Sequence, residues 1–128
     1  MYKEIAQIIK KNDLFTFFHS DGDTRKVIGP LIEAGYDCIH PIDAQAWLNL
    51  YELRKQFGEK VSFMGHIEMM AWSKEKMTKE ISLAEEDLKT GGLILGSTCG
   101  ISMDTVNDNL TTLYPQWERR GLTHRIFR

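Results

Sequence analysis

The sequence predicts a parallel α/β fold, built from four successive βα units behind one leading helix. Three observations carry this expectation. Short, near-continuous apolar runs recur along the chain, each is followed by apolar residues at helical spacing, and a glycine closes each cycle. Apolar strands that alternate with helices in this way indicate a parallel sheet covered by helices.

The elements follow in order. The opening MYKEIAQIIKKND reads as an amphipathic helix. The first strand is Leu14 to His19, bounded by Asp13 and by the turn Ser20-Asp21-Gly22-Asp23. Val27, Ile28, Leu31 and Ile32 then fall at helical spacing, with Asp23 expected as the N-cap and Gly35 at the C-terminal end. The second strand is Asp37 to His40, and its helix carries Leu50, Leu53 and Phe57 before Gly58. The third is Val61 to Gly65, followed by a helix with Met77, Ile81, Ala84 and Leu88 on one face and Gly91 at its end. The fourth is Leu93 to Gly96, followed by Val106, Leu110 and Leu113 and closed by Gly121; Pro115 is expected to kink or split that last helix. With no linker or low-complexity segment, the 128 residues read as a single domain. The connections suit right-handed crossovers, and both a barrel and a doubly wound open sheet satisfy the pattern. The absence of GxGxxG after the first strand weakens the dinucleotide-binding version of the open sheet.

Composition removes several functional classes. At 42% hydrophobic and 27% charged residues with a net charge of −2, the chain is an ordinary globular sequence without the basic field that nucleic acid or a membrane surface requires. No apolar run approaches the roughly 18–20 residues of a membrane span, and the opening resembles a surface helix more than a signal peptide. The two cysteines, Cys38 and Cys99, are therefore expected to serve packing, metal binding or catalysis in a reducing cytoplasm.

The ionisable residues gather at one place in the pattern. His19 ends the first strand with Asp21 two residues on, and His40 ends the second with Asp43 following. His66 and Glu68 end the third, and Cys99 follows the fourth. In a parallel α/β fold this edge is where loops and helix N-termini converge on ligands. Residues i and i+2 of an extended chain share a face, so His19 and Asp21 can aim at one point, as can His66 and Glu68. An imidazole, a carboxylate and a thiolate make a three-ligand zinc shell with a fourth position open, which gives His19, Asp21 and Cys99 as candidate ligands. His66 and Glu68 are the candidate catalytic pair for proton transfer, with His66 expected to face the pocket and to matter little for folding. His40 taken alone reads as a hydrogen-bonded structural residue, and in this company as a candidate cofactor contact. Cys38 lies within a strand and reads as a small core residue. Cys99, in a loop, is open between a ligating or reactive thiol and an ordinary loop residue. Phe15, Phe17 and Leu95 are expected to fill a barrel interior.

The residues also resemble a known family. Phe18-His19-Ser20-Asp21-Gly22-Asp23 with Ile32-Glu33-Ala34-Gly35-Tyr36-Asp37 resembles the HSDG…LIEAGVD stretch of uroporphyrinogen decarboxylase-like proteins. Ile39-His40-Pro41-Ile42-Asp43 resembles their NPLE strand end, with His in place of the common Asn, and Phe63-Met64-Gly65-His66-Ile67-Glu68 resembles the GGID strand end. The segment from Gly92 to Ile101 resembles the last barrel strand, and its Cys99-Gly100-Ile101 is similar to that of the zinc-dependent methylcobamide:coenzyme M methyltransferases. Those enzymes hold their metal by a His-x-Cys pair and a later Cys. His19 and Cys99 match two of these ligands, while Asp21 stands where the other Cys is expected.

The resemblance implies a fold that is half of a (β/α)8 TIM barrel, the C-terminal half of this superfamily, and a cytoplasmic protein. It implies a methyltransferase-like function with zinc as cofactor and a methylcorrinoid, carried by a corrinoid protein, as substrate. Alternatives are a decarboxylase-like (lyase) tetrapyrrole-binding protein of porphyrin biosynthesis, or an inactive half barrel that complements a partner chain. The half barrel is expected to close as a homodimer or with a separate N-terminal half, with no nucleic-acid or membrane partner.

Overall fold

The computed structural model describes residues 1–98, 100, 109–111 and 115. The leading helix α1 spans Tyr2–Lys10, with Ala6 buried. Then follow β1 (Phe17–His19), α2 (Arg25–Ala34), β2 (Cys38–Ile42), a 3-10 turn (Ala44–Ala46), α3 (Leu50–Phe57), β3 (Ser62–Ile67), α4 (Lys74–Thr90) and β4 (Leu93–Ser97). The kink expected at Pro115 and most of the fourth helix lie outside the described residues.

The sheet decides between barrel and doubly wound topology. Its four strands are all parallel and run in sequential order β1-β2-β3-β4, with no reversal of strand order. Crossovers of one hand in that order place every helix on the same face, as in a barrel. The main core confirms this, since it joins Ala6, Ile28, Leu31, Leu50, Leu53 and Ala84 from four helices to Ile39, Phe63 and Leu93 of the sheet. The residues alternating with those strand positions turn to the opposite, uncovered face. Phe17 is accordingly 54% exposed and Ile94 39%. Leu95 departs from expectation: it packs against the helix-side clusters, and Ile94 takes the inner position.

Local chemistry sets the element ends. β1 is only three residues long: the Thr16 carbonyl accepts from the Cys38 N–H of β2, but its N–H is taken by a side chain instead of a strand. The Thr16 N–H and hydroxyl both donate to Asp37 Oδ2 (2.9 and 2.8 Å), and Lys10 Nζ pairs with Asp37 Oδ1 at 2.8 Å. Burial raises the Asp37 pKa, but the bonds from Lys10 and Thr16 outweigh it and hold the carboxyl below its usual range. The N-cap position of helix α2 is Thr24, one residue later than expected, and its hydroxyl makes no capping bond. Asp23 instead accepts from the Arg25 N–H (3.1 Å) and pairs with its guanidinium at 2.6 Å. Gly35 ends α2 in the left-handed conformation, as the spacing predicted. Gly58 does not. It is right-handed, and glycine is required there because a Cβ would lie 2.5 Å from the Arg54 carbonyl oxygen.

β2 and β3 are joined with a register shift: Ile39 faces Phe63, but Ile42 faces Gly65, so β2 carries one extra residue around His40-Pro41. Gly65 takes φ 111° with Ile42 N only 3.2 Å from where its Cβ would be, and His66 follows at φ 91°. Two successive positive φ values interrupt the strand's alternation immediately before its C-terminal end. Among the described residues no helix is long and apolar enough to cross a membrane.

Candidate functional site

The C-terminal ends of the strands hold two different polar arrangements. At β1 and β2, His19 and His40 are register partners in adjacent parallel strands, so their side chains project to the same face. Their Nδ1 atoms lie 2.7 Å apart and their rings 4.7 Å apart. His19 Nε2 lies 3.6 Å from Asp21 Oδ1, which is the convergence predicted by the i, i+2 spacing. His19 and Asp21 are open to solvent, 58% and 71% exposed, whereas His40 is half-buried. Burial, and next the neighbouring His19, depress the His40 pKa; a hydrogen bond to the Ser97 backbone and the Asp21 charge oppose this without overcoming it.

The end of β3 is closed. Glu68 is 1% exposed, and its oxygens are occupied from three directions. The Met70 N–H donates to Oε1 (3.0 Å), while Gln45 Nε2 (2.7 Å) and Thr98 Oγ1 (2.9 Å) donate to Oε2. Burial pushes this carboxyl up, but those bonds and one from the Ala71 N–H more than offset it and lower its pKa. Glu68 is thus held as a carboxylate that ties together the loops after β2, β3 and β4. Asn109 extends the tie by donating to the carbonyls of Met69 (2.7 Å) and Trp72 (3.4 Å).

His66 does not join Glu68, and it does not face the mouth. Its positive φ turns the ring into the helix layer, where it is 5% exposed. There Nε2 contacts Glu80 Oε2 of α4 at 3.0 Å, with the rings of Tyr51 (5.6 Å) and Trp72 (5.3 Å) edge-on to it. Tyr51 donates its hydroxyl to the same Glu80 oxygen at 3.0 Å, and burial followed by that bond and the Glu80 charge pushes the phenol well above its ordinary pKa. The expectation that His66 faces the pocket is therefore corrected, the reason being the backbone at Gly65-His66, and the burial of its ring argues against its being dispensable for folding.

The other predicted residues sort simply. Cys38 is buried in β2, and burial pushes its thiol up to about 11, as suits an inert core residue. Asp43 caps the 3-10 turn by accepting from the Gln45 N–H at 2.7 Å. Cys99 lies outside the described residues. Among the described residues no group of three or more His, Cys, Asp or Glu could hold a metal ion.

Sequence reasoning missed Gln45, Thr98 and Glu80. A signal existed for Glu80, which sits three residues after Met77 and next to Ile81, and so flanks the buried stripe of α4. Gln45 and Thr98 carried none, being 23 and 30 residues from Glu68 in loops.

In comparison with known proteins, the family model described as Uroporphyrinogen decarboxylase (URO-D) matches residues 1–117. No curated protein and no solved structure matches the chain.

Proposed function

The chain belongs to the uroporphyrinogen decarboxylase family, and on that footing we propose that it carries a methyltransferase-like zinc site at the mouth formed by β1 and β2. The observation that carries this reading is the convergence of His19 Nε2 and Asp21 Oδ1 at 3.6 Å on an open strand end. Zinc bonds of about 2.0–2.2 Å to nitrogen and oxygen put two tetrahedral ligands roughly 3.3 Å apart, so this donor pair needs only a small adjustment to fit the metal. His19 and Asp21 supply two ligands, and Cys99, in the loop after β4, is proposed as the third. Zinc bound there would lower the pKa of a thiol acceptor and keep it as a thiolate for methyl transfer from a methylcorrinoid on a partner protein. The protein's own contribution is positional. The Glu68 tie fixes the loops around the mouth, and the exposure of His19 leaves room for an acceptor and a donor to approach.

The uncovered face of the sheet supports a further part of the reading, that the site works within a closed barrel. Among the described residues β1 pairs only with β2 and β4 only with β3, so each leaves an edge of backbone groups unpaired. We propose a second copy of the chain as the occupant, since pairing β1 to β4 twice closes eight strands and covers Phe17 and Ile94. Light scattering is expected to give twice the chain mass, and a cooperative, folded species of one chain mass would refute closure.

The zinc reading is tested by elemental analysis of protein purified without added metal, followed by calorimetric zinc titration. About one zinc per chain is expected, with weaker binding in Asp21→Ala and Cys99→Ser and little change in Cys38→Ser. No stoichiometric metal and no uptake on titration would leave a metal-free, decarboxylase-like binding role instead.

A further inference from the structure

We propose that His66 exchanges between two seats, the observed one against Glu80 in the helix layer and a second in the mouth over Gly96, so that the mouth gains a third imidazole beside His19 and His40 whenever the second seat is taken. On β3, Phe63 and Ile67 lie four residues apart, and both belong to helix-side clusters. A regular strand puts the residue between Gly65 and Ile67 on the opposite face, toward the mouth. His66 is the exception, and its backbone makes it one: φ is 91°, a region that residues with a Cβ rarely occupy. Phe63 and Ile67 stay in phase on either side of it, so the departure is confined to the backbone around Gly65 and His66. Gly65, at φ 111°, is the residue that changes the sign of φ at least cost.

The observed seat satisfies the ring only in part. Nε2 meets Glu80 Oε2 at 3.0 Å, but the buried Nδ1 has no hydrogen-bond partner among the described residues. An imidazole presents a donor or a lone pair at that atom, so burying it unpaired works against the seat, as the strained φ does. Glu80 keeps a partner when the ring leaves, since the Tyr51 hydroxyl donates to the same Oε2 at 3.0 Å. The second seat is adjacent and open. The register partner of His66 on β4 is Gly96, two residues beyond Ile94 and therefore on the same uncovered face. A Cβ built on Gly96 meets nothing within 4 Å, so a ring projecting from β3 finds space over its neighbour. There the backbone returns to the strand region and water reaches Nδ1. Each seat offers what the other lacks: Glu80 and the rings of Tyr51 and Trp72 in one, relaxed backbone and a solvated Nδ1 in the other. The exchange needs no metal, so it is independent of the zinc reading.

Diethyl pyrocarbonate modifies an imidazole that solvent reaches, and peptide mass spectrometry of the metal-free full chain reads the rate at His66 by itself. Brief exposures in rising urea, below the unfolding transition, separate local exchange from global unfolding. Moving one ring exposes little surface, so the His66 rate is expected to stay nearly flat with urea. A rate that climbs with urea in parallel with the unfolding equilibrium overturns the proposal, because His66 then leaves its seat only when the chain unfolds. Gly96→Val fills the second seat, at a position whose φ is not positive and whose surroundings are open. The His66 rate is expected to fall about 10-fold or more in this variant, while the exposed His19 keeps its rate as the internal reference. An unchanged His66 rate in folded Gly96→Val, or a fall that His19 shares equally, overturns the mouth seat. Where Gly96→Val fails to fold, the urea profile of the wild type decides alone.

Discussion

The ends of β2 and β3 are neighbours in one sheet, and each carries a histidine, yet the two histidines live in different worlds. His40 stays in the mouth, half-buried and bonded to His19. His66 is swung away and enclosed by Tyr51, Trp72 and Glu80. The same difference separates the carboxylates, since Asp21 is 71% exposed whereas Glu68 is 1% exposed with both oxygens engaged. A titratable residue at a strand end is therefore not automatically a site residue. One end of the row is open to solvent, and the other is tied into the loops around it.

The comparison is broken most forcefully at Glu68. Glu68→Ala removes the acceptor for Gln45, Thr98 and the Met70 N–H together. The buried Thr98 hydroxyl left unpaired costs about 1–3 kcal/mol, and each of the two part-buried bonds lost about 0.5–1.5 kcal/mol, so a total loss of about 3 kcal/mol is expected in urea denaturation. A loss below about 1 kcal/mol would show that the tie is not structural.

His66→Ala comes next. It deletes a buried ring between two aromatics and strips Glu80 of a partner, for an expected loss of about 2–3 kcal/mol. His66→Gly relieves the strain of φ 91° and is expected to be less harmful than His66→Ala. The reverse order would mean that the positive φ carries no strain.

A smaller effect appears on acidification. The folded pKa of Glu68 is lowered, so its contribution is complete above the unfolded carboxylate value near 4.3 and is lost as pH falls through the folded value below it. Asp37 behaves in the same way. Stability measured between about pH 5 and 2 is expected to fall, with a shallower slope in Glu68→Gln. Equal slopes in the two proteins would remove Glu68 from the acid response.

How far all this was legible in the sequence follows from the kind of information each feature uses. The apolar runs ending at His19, His40 and Gly65 and the helical stripes after them fixed the parallel units, because burial periodicity is written in residue type. The His19–Asp21 convergence was legible for the same reason: it needs only an extended backbone and a spacing of two. His66 and Glu68 have that same spacing and did not converge. The difference is a backbone sign at Gly65-His66, found beside an extra residue in β2 and invisible in the apolar pattern of β3. The shortening of β1 was hidden for a related reason, since Thr16 is claimed by Asp37, which lies 21 residues away.

The smallest expected effect is the one that sharpens the comparison most. His19→Ala removes a ring that is 58% exposed, and its partners are the exposed Asp21 and His40, a half-buried residue that keeps its bond to Ser97. An exposed ion pair contributes about 0–1 kcal/mol, and a surface side chain without a packing role changes stability by about 0.5 kcal/mol or less. The thermal midpoint of His19→Ala is therefore expected to lie close to that of the wild type, in contrast to His66→Ala. The same should hold for Asp21→Ala, whose exposed carboxylate pairs with His19. A double mutant of the two is expected to show almost no coupling in stability, because both side chains are exposed and their contact is screened by water. If His19→Ala instead destabilised the chain as much as His66→Ala, both strand ends would be structural, and the proposed site at the open mouth would lose its support.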